Sequence, residues 1–170
     1  MIKKTACLIA LVNSLVACGT EPAPELIVIA NGQGEIAGEV TANSVILQSR
    51  LTTATVLVDG DVPGAPGVAR FELATSNDFS DVIESPWLEA TAARDFIVKI
   101  RMDGLSPGTR HYYRLRYGPR ENHTQLGPTR SFSTLPGAEG TAAVNFVVVT
   151  GMNYAPFHGD GPRSGSLEDK

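Results

Sequence analysis

Asp103-Gly104-Leu105-Ser106-Pro107-Gly108-Thr109-Arg110-His111-Tyr112-Tyr113-Arg114-Leu115-Arg116-Tyr117 is the stretch whose reading decides the fold. Its first half is turn chemistry: Gly supplies backbone conformations that other residues avoid, and Pro presets one torsion. Its second half alternates, with Tyr113, Leu115 and Tyr117 on one face and Arg114 and Arg116 on the other. A period of two is the mark of a strand with one face in a core and one in water. Outward from this stretch the same reading recurs. Residues 44–51 (SVILQSRL) form one predicted strand, and residues 68–74 (VARFELA) form another, with Ala69, Phe71 and Leu73 on one face. Residues 94–102 (RDFIVKIRM) align Phe96, Val98, Ile100 and Met102, and residues 129–134 (TRSFST) give a shorter strand. Residues 26–30 are a candidate first strand, and Asp59-Gly60-Asp61 is a second turn. Several short strands at this spacing, with no helical period between them, predict an all-β antiparallel sandwich.

Composition agrees. The 17 glycines and 11 prolines in 170 residues suit a turn-rich domain. The sandwich is assigned to residues 31–135, a normal size for one such domain. A formal net charge of −4 argues against a nucleic-acid partner. After the N-terminus there is no run of 18 uncharged apolar residues, so no internal transmembrane helix is predicted.

The N-terminus reads as an export signal over residues 1–17. Lys3 and Lys4 precede the apolar run 6–12, and Leu15-Val16-Ala17-Cys18 follows. That order resembles the lipobox of bacterial lipoproteins. The resemblance implies a lipidated Cys18 as the mature N-terminus, on an exported protein that faces the periplasm or the cell exterior. Cys7 falls in the removed segment, so the mature chain is expected to hold no internal disulfide. Residues 18–30 are a Pro-rich tether. Residues 136–143 (PGAEGTAA) are a linker, and 144–149 (VNFVVV) form an apolar run suited to a strand covered on both faces.

Three ordered pieces carry a wider resemblance. They are Gly38-Glu39-Val40-Thr41 with 44–51, then Phe71 to Ser80 with Arg94 to Lys99, and finally the Leu105 corner with Ser131-Phe132-Ser133-Thr134-Leu135-Pro136. The succession is similar to the N-terminal domain of the alkaline phosphatase D family of secreted phosphatases and phosphodiesterases. Leu105-Ser106-Pro107-Gly108-Thr109 itself resembles the fibronectin type III corner, with His111 where that family has a Tyr. The phosphatase resemblance implies that residues 144–170 are the truncated start of an α/β metallophosphatase domain, and that calcium or iron serves the full-length enzyme. Gly151 stands where the family often carries a Cys ligand. No catalytic residue is expected in this chain, which alone is expected to be inactive. Its implied partners are its own catalytic domain and, through the lipid, a membrane; the chain is read as a monomer. The rival reading is a standalone fibronectin-like binding or adhesion module of a surface lipoprotein.

Other candidates are weaker. His158 and Asp160 are possible metal ligands without enough converging donors nearby. Arg101, Arg110, Arg114, Arg116, Arg120 and Arg130, with His111 and His123, make a basic concentration. Arg114 and Arg116 share a face, so they are the candidate phosphate-attracting pair; the plainer reading is a solvated face balanced by Asp95, Asp103 and Glu121. Trp87 is read as a core or inter-domain anchor before a ligand-stacking ring. Asn122-His123-Thr124 fits a glycosylation pattern that a bacterial lipoprotein would not use.

If Cys18 is lipidated, Cys18→Ser moves the expressed protein from the detergent phase to the aqueous phase on phase partitioning. A variant that partitions like the parent would show the anchor assignment to be wrong.

Overall fold

The structure is a computed structural model that describes residues 28–141 and 143–148. The export signal, Cys18, Gly151, His158 and Asp160 lie outside the described residues. The strands are β1 (Glu35–Gly38), β2 (Ser44–Arg50), β3 (Gly67–Ala74), β4 (Ile83–Glu84), β5 (Leu88–Ala90), β6 (Ile97–Asp103), β7 (Arg110–Arg120), β8 (His123–Leu126) and β9 (Arg130–Ser133). One sheet has the order β1-β2-β6. The other runs β4-β3-β7-β8, with β5 also on β3 and β9 also on β7. All of these pairings are antiparallel.

The predicted alternations hold. Ala69, Phe71 and Leu73 of β3 and Leu115 of β7 are fully buried, against Val45, Leu47 and Val98 of the facing sheet. Burying an aliphatic or aromatic side chain contributes about 1.5–3 kcal/mol, so this inner layer is what keeps the two sheets together. The strand expected from residue 94 begins later, at Ile97, because residues 92–94 form a 3-10 turn and Asp95 and Phe96 take positive φ of 49° and 57°. Strands β1, β4, β5 and β8 are too short to leave an alternation in the sequence. β7 outruns its prediction by three residues, since Gly118 lets it pass a bulge opposite β8. A Cβ at Gly118 would sit 2.1 Å from the carbonyl oxygen of His123.

The corner that decided the reading is knitted to three other segments. Leu105 N donates to Asn43 O (3.0 Å) and Gly108 N to Leu135 O (3.0 Å). Thr134 Oγ1 donates to Ser106 O (2.7 Å) and accepts from Thr109 N (2.9 Å). Gly104 and Gly108 take φ of 78° and 61° here, which explains both glycines. His111 occupies the corner's aromatic place. It is buried, stacked on Phe132 at 5.3 Å, and its Nε2 has no partner.

Beyond Leu135, whose N–H reaches Thr41 O (3.0 Å), no strand forms among the described residues. Phe146, Val147 and Val148 are 80%, 87% and 78% exposed. The apolar run therefore stays outside both sheets, as its two-faced pattern predicts.

Burial pushes the His111 imidazole below its ordinary value of 6.5; the Ser106 carbonyl and the Asp81 charge offset this only in part. The folded state holds His111 neutral while the unfolded chain takes up a proton. Its contribution to stability is therefore complete above pH 6.5 and is lost as pH falls below that value. His111→Tyr, which removes the titrating group, should flatten the fall in melting temperature between pH 6.5 and 5. Parallel curves for the two proteins would remove His111 as the cause.

Candidate functional site

The inward face of the β3–β7 pair is core. Its outward face gathers the charged and aromatic groups. The register sets Arg70 opposite Arg116, Glu72 opposite Arg114 and Ala74 opposite Tyr112. Glu72 is only 2% exposed although it lies on the outward face, because two arginines cover it. Arg114 Nε donates to Glu72 Oε2 and Arg116 Nε to Oε1, both at 2.6 Å. Arg114 lies 3.9 Å over the ring of Phe79, and Arg70 lies 4.7 Å over the ring of Trp87. Arg70 Nη2 also pairs with Glu84 (2.5 Å), while its Nε is buried without a partner.

Phe79 is brought under Arg114 by the loop between β3 and β4. Asp81 accepts from Thr75 N (3.0 Å) and Ser76 N (3.2 Å), and Asp78 accepts from Ser80 N (3.0 Å). Hydroxyls of Ser76 and Thr75 close on Asp78 and Asp81. With the Ser76 hydroxyl bond foremost, these contacts hold the Asp78 carboxyl at about 2. Phe79 sits in this loop at φ 57°, a left-handed conformation that a bulky residue adopts only when its surroundings impose it.

The basic residues grouped in the sequence are dispersed by the fold. Arg101 pairs with Asp103 on the other sheet (2.7 Å). Arg130 reaches inward to Glu35 (3.4 Å), and His111 is in the core. Asp95 pairs with Arg50 (2.9 Å), away from β7. The counter-charge on Arg114 and Arg116 is thus Glu72, and the sequence reading missed it. It also missed Arg70. Their alternation with Ala69, Phe71 and Leu73 marked them as outward, but only strand pairing shows what they meet. Trp87, half-buried, is used as a support for Arg70.

The second buried carboxylate behaves in the opposite sense. Glu35 lies at the sandwich edge, accepting from Asn31 Nδ2 (2.6 Å) and Arg130 Nε (3.4 Å). Burial raises its pKa, and these partners offset the rise incompletely. Burial also pushes Glu72 up, but there the hydrogen bonds and charges of Arg114 and Arg116 prevail and the net shift is downward. Near the linker, a cleft of about 1040 Å³ opens between β1, β9 and residues 143–147, walled by Val40, Phe132 and Leu135. Among the described residues, no three His, Cys, Asp or Glu side chains gather as a metal would need. No helix among them is long and apolar enough to cross a membrane.

A sequence profile described as PhoD-like phosphatase, N-terminal domain, matches residues 30–136. The chain belongs to the PhoD-like phosphatase family. The resemblance drawn from the corner and its flanking strands is thereby borne out. Among solved structures, "Structure of PhoD" superposes with a TM-score of 0.54 at 22% identity, over 72% of this chain and 22% of that one. The chain therefore spans about a fifth of that PhoD chain. The fibronectin type III domain of human fibronectin type III domain containing protein 3 aligns at 12% identity and TM-score 0.42, over 74% of this chain and 100% of that one. The sensor domain of the anti-sigma factor RsgI4 from Pseudobacteroides cellulosolvens, in its short form, aligns at 15% identity and TM-score 0.43, over 65% and 96%. No curated protein matches the chain. The PhoD-like N-terminal domain is thus an all-β sandwich, and its outward β3–β7 face joins Glu72, Arg114, Arg116, Arg70 and Glu84 in one set of ion pairs.

The two carboxylates predict unequal responses to the same change at pH 7. Glu35→Gln, which imitates the form that burial favours, should cost under about 1 kcal/mol, since it gives up a single long contact. Glu72→Gln leaves two guanidiniums without their charge partner. The loss should be roughly 2 kcal/mol, below that of a fully buried pair because both arginines keep some solvent. Because the folded pKa of Glu72 is lowered, its contribution is present above 4.5 and lost as pH falls through the folded value, a loss the Gln variant should not show. Urea unfolding at pH 7 and pH 4 measures both, and equal losses for the two variants at pH 7 would contradict the assignment.

Proposed function

We propose that this chain is the N-terminal accessory part of an exported, lipid-anchored phosphoesterase that hydrolyses phosphate monoesters or diesters. The observation that carries the reading is the family match over residues 30–136. Two further features support it. The apolar run at Phe146, Val147 and Val148 finds no cover in the sandwich and suits the first strand of a domain that follows. The PhoD structure continues far beyond the part that this chain matches.

In this reading the sandwich holds no reacting group. Among the described residues no three His, Cys, Asp or Glu side chains gather as a metal would need, and Glu72, Asp78 and Asp81 are spent on Arg, Ser, Thr and backbone partners. The metal chemistry expected of the family, with calcium or iron, belongs to the catalytic region. The role of the sandwich is to position or shield that region through the short linker after Leu135. The lipid on Cys18 would hold the assembly at a membrane.

The test compares the 170-residue chain with the protein encoded when the reading frame is continued beyond Lys170. Both are assayed on p-nitrophenyl phosphate and its bis-ester with added calcium and iron. Metal-dependent hydrolysis by the longer protein and none by the chain alone is the expected result. A longer protein with no hydrolysis overturns the phosphoesterase reading. Turnover by the short chain that vanishes in His158→Ala and Asp160→Ala places the active site in the tail instead.

A further inference from the structure

We infer that the outward face of β3 and β7 is a preorganised receptor for a phosphoryl oxyanion, with Arg114 and Arg116 as its ligands and Arg70 beside them. Glu72 is the reason. Each of its oxygens accepts one Nε, from Arg114 and from Arg116. Both guanidiniums are thereby fixed by their inner nitrogens. Among the described residues, the terminal amino groups of Arg114 and Arg116 make no hydrogen bond. Both guanidiniums are held on one carboxylate and both side chains keep some solvent exposure; in the proposed receptor a single second oxyanion bridges their terminal amino groups.

Ordering of arginine side chains usually opposes anion binding, because each long chain loses rotamer freedom. Here that cost is met in the free protein. Arg114 rests on Phe79, which the Asp78 and Asp81 loop holds in a left-handed conformation for that contact. Arg70 rests on Trp87 and stands opposite Arg116 across the strand pair. Three guanidiniums stand beside Glu72 and Glu84, with Asp78 and Asp81 on the loop that carries Phe79, so what the face offers an anion is directed donors rather than a net positive charge. A tetrahedral oxyanion can accept from several such donors at once, and guanidinium forks match phosphate oxygens in pairs. An ion pair built for stability alone would spend the fork on the carboxylate; this one spends only the inner nitrogen.

The choice of phosphate among oxyanions rests on the phosphoesterase reading, whereas the receptor geometry does not. The experiment therefore measures binding by this chain, without turnover. Arginine Nε–H resonances and the Trp87 indole are followed by NMR while inorganic phosphate is added at pH 7.5 and constant ionic strength, with chloride and acetate as controls. Saturable shifts at Arg114 and Arg116, in the low millimolar range and absent with both controls, are expected. Arg116→Lys keeps a cation over Glu72 but removes the fork, and should weaken phosphate binding about tenfold with an unchanged amide spectrum. Glu72→Gln makes the patch more positive yet frees both arginines, and should also weaken binding. Shifts that fail to saturate, or that acetate reproduces, overturn the proposal; so does tighter binding by Glu72→Gln, which would make bulk charge the cause. None of these outcomes depends on whether the longer protein hydrolyses esters.

Discussion

Seven residues of β3 pair with seven of β7, from Val68 opposite Gly118 to Ala74 opposite Tyr112, and the rest of the molecule depends on that register. It places Phe71 beside Leu115 in the core and, on the reverse face, Glu72 beside Arg114. A slip of β3 by one residue would turn Arg70 and Glu72 inward while exposing Phe71 and Leu73, and a slip of β7 would turn Arg114 and Arg116 inward while exposing Leu115. The hydrophobic term alone forbids that. The ion pairs on the outer face contribute less than the core, but they specify the same register, so the two faces agree.

The two carboxylates show how position within a sandwich sets chemistry. Glu35 and Glu72 are both shielded from water, and burial penalises the charge of each. Glu72 meets two Nε donors at 2.6 Å, whereas Glu35 meets one arginine at 3.4 Å and an amide. The first is held ionised and the second is pushed toward protonation. Residue type is identical and solvent exclusion similar; the number and distance of cationic donors decide. A carboxylate that takes an Nε donor on each oxygen also orders both arginines.

The family assignment gives this arrangement a setting. A PhoD-like N-terminal domain is a sandwich whose corner ties β9 to β7 and to the β1–β2 loop, so the chain leaves it at a fixed place beyond Leu135. Anything built after the linker begins at that pole. The exposed Phe146, Val147 and Val148 follow the linker directly. Residues 136–143 are small and turn-rich, which suits the linker proposed there.

Much of this was legible in the sequence. Period-two alternation in residues 68–74, 94–102 and 110–117 identified the inner faces, because a half-buried strand must put apolar groups on one side. Gly104, Pro107 and Gly108 marked the corner, because their backbone requirements are local. Those same local signals carried the family resemblance. The short strands β1, β4, β5 and β8 left no such mark, since their two to four residues carry no sustained apolar alternation and are held by their neighbours. Glu72 as the partner of Arg114 and Arg116 was also beyond the sequence, which offered Asp95, Asp103 and Glu121 instead. That pairing joins positions 42 and 44 residues apart, and only the register of β3 on β7 brings them together. Local alternation fixes which way a side chain points; the tertiary pairing of strands decides what it meets there.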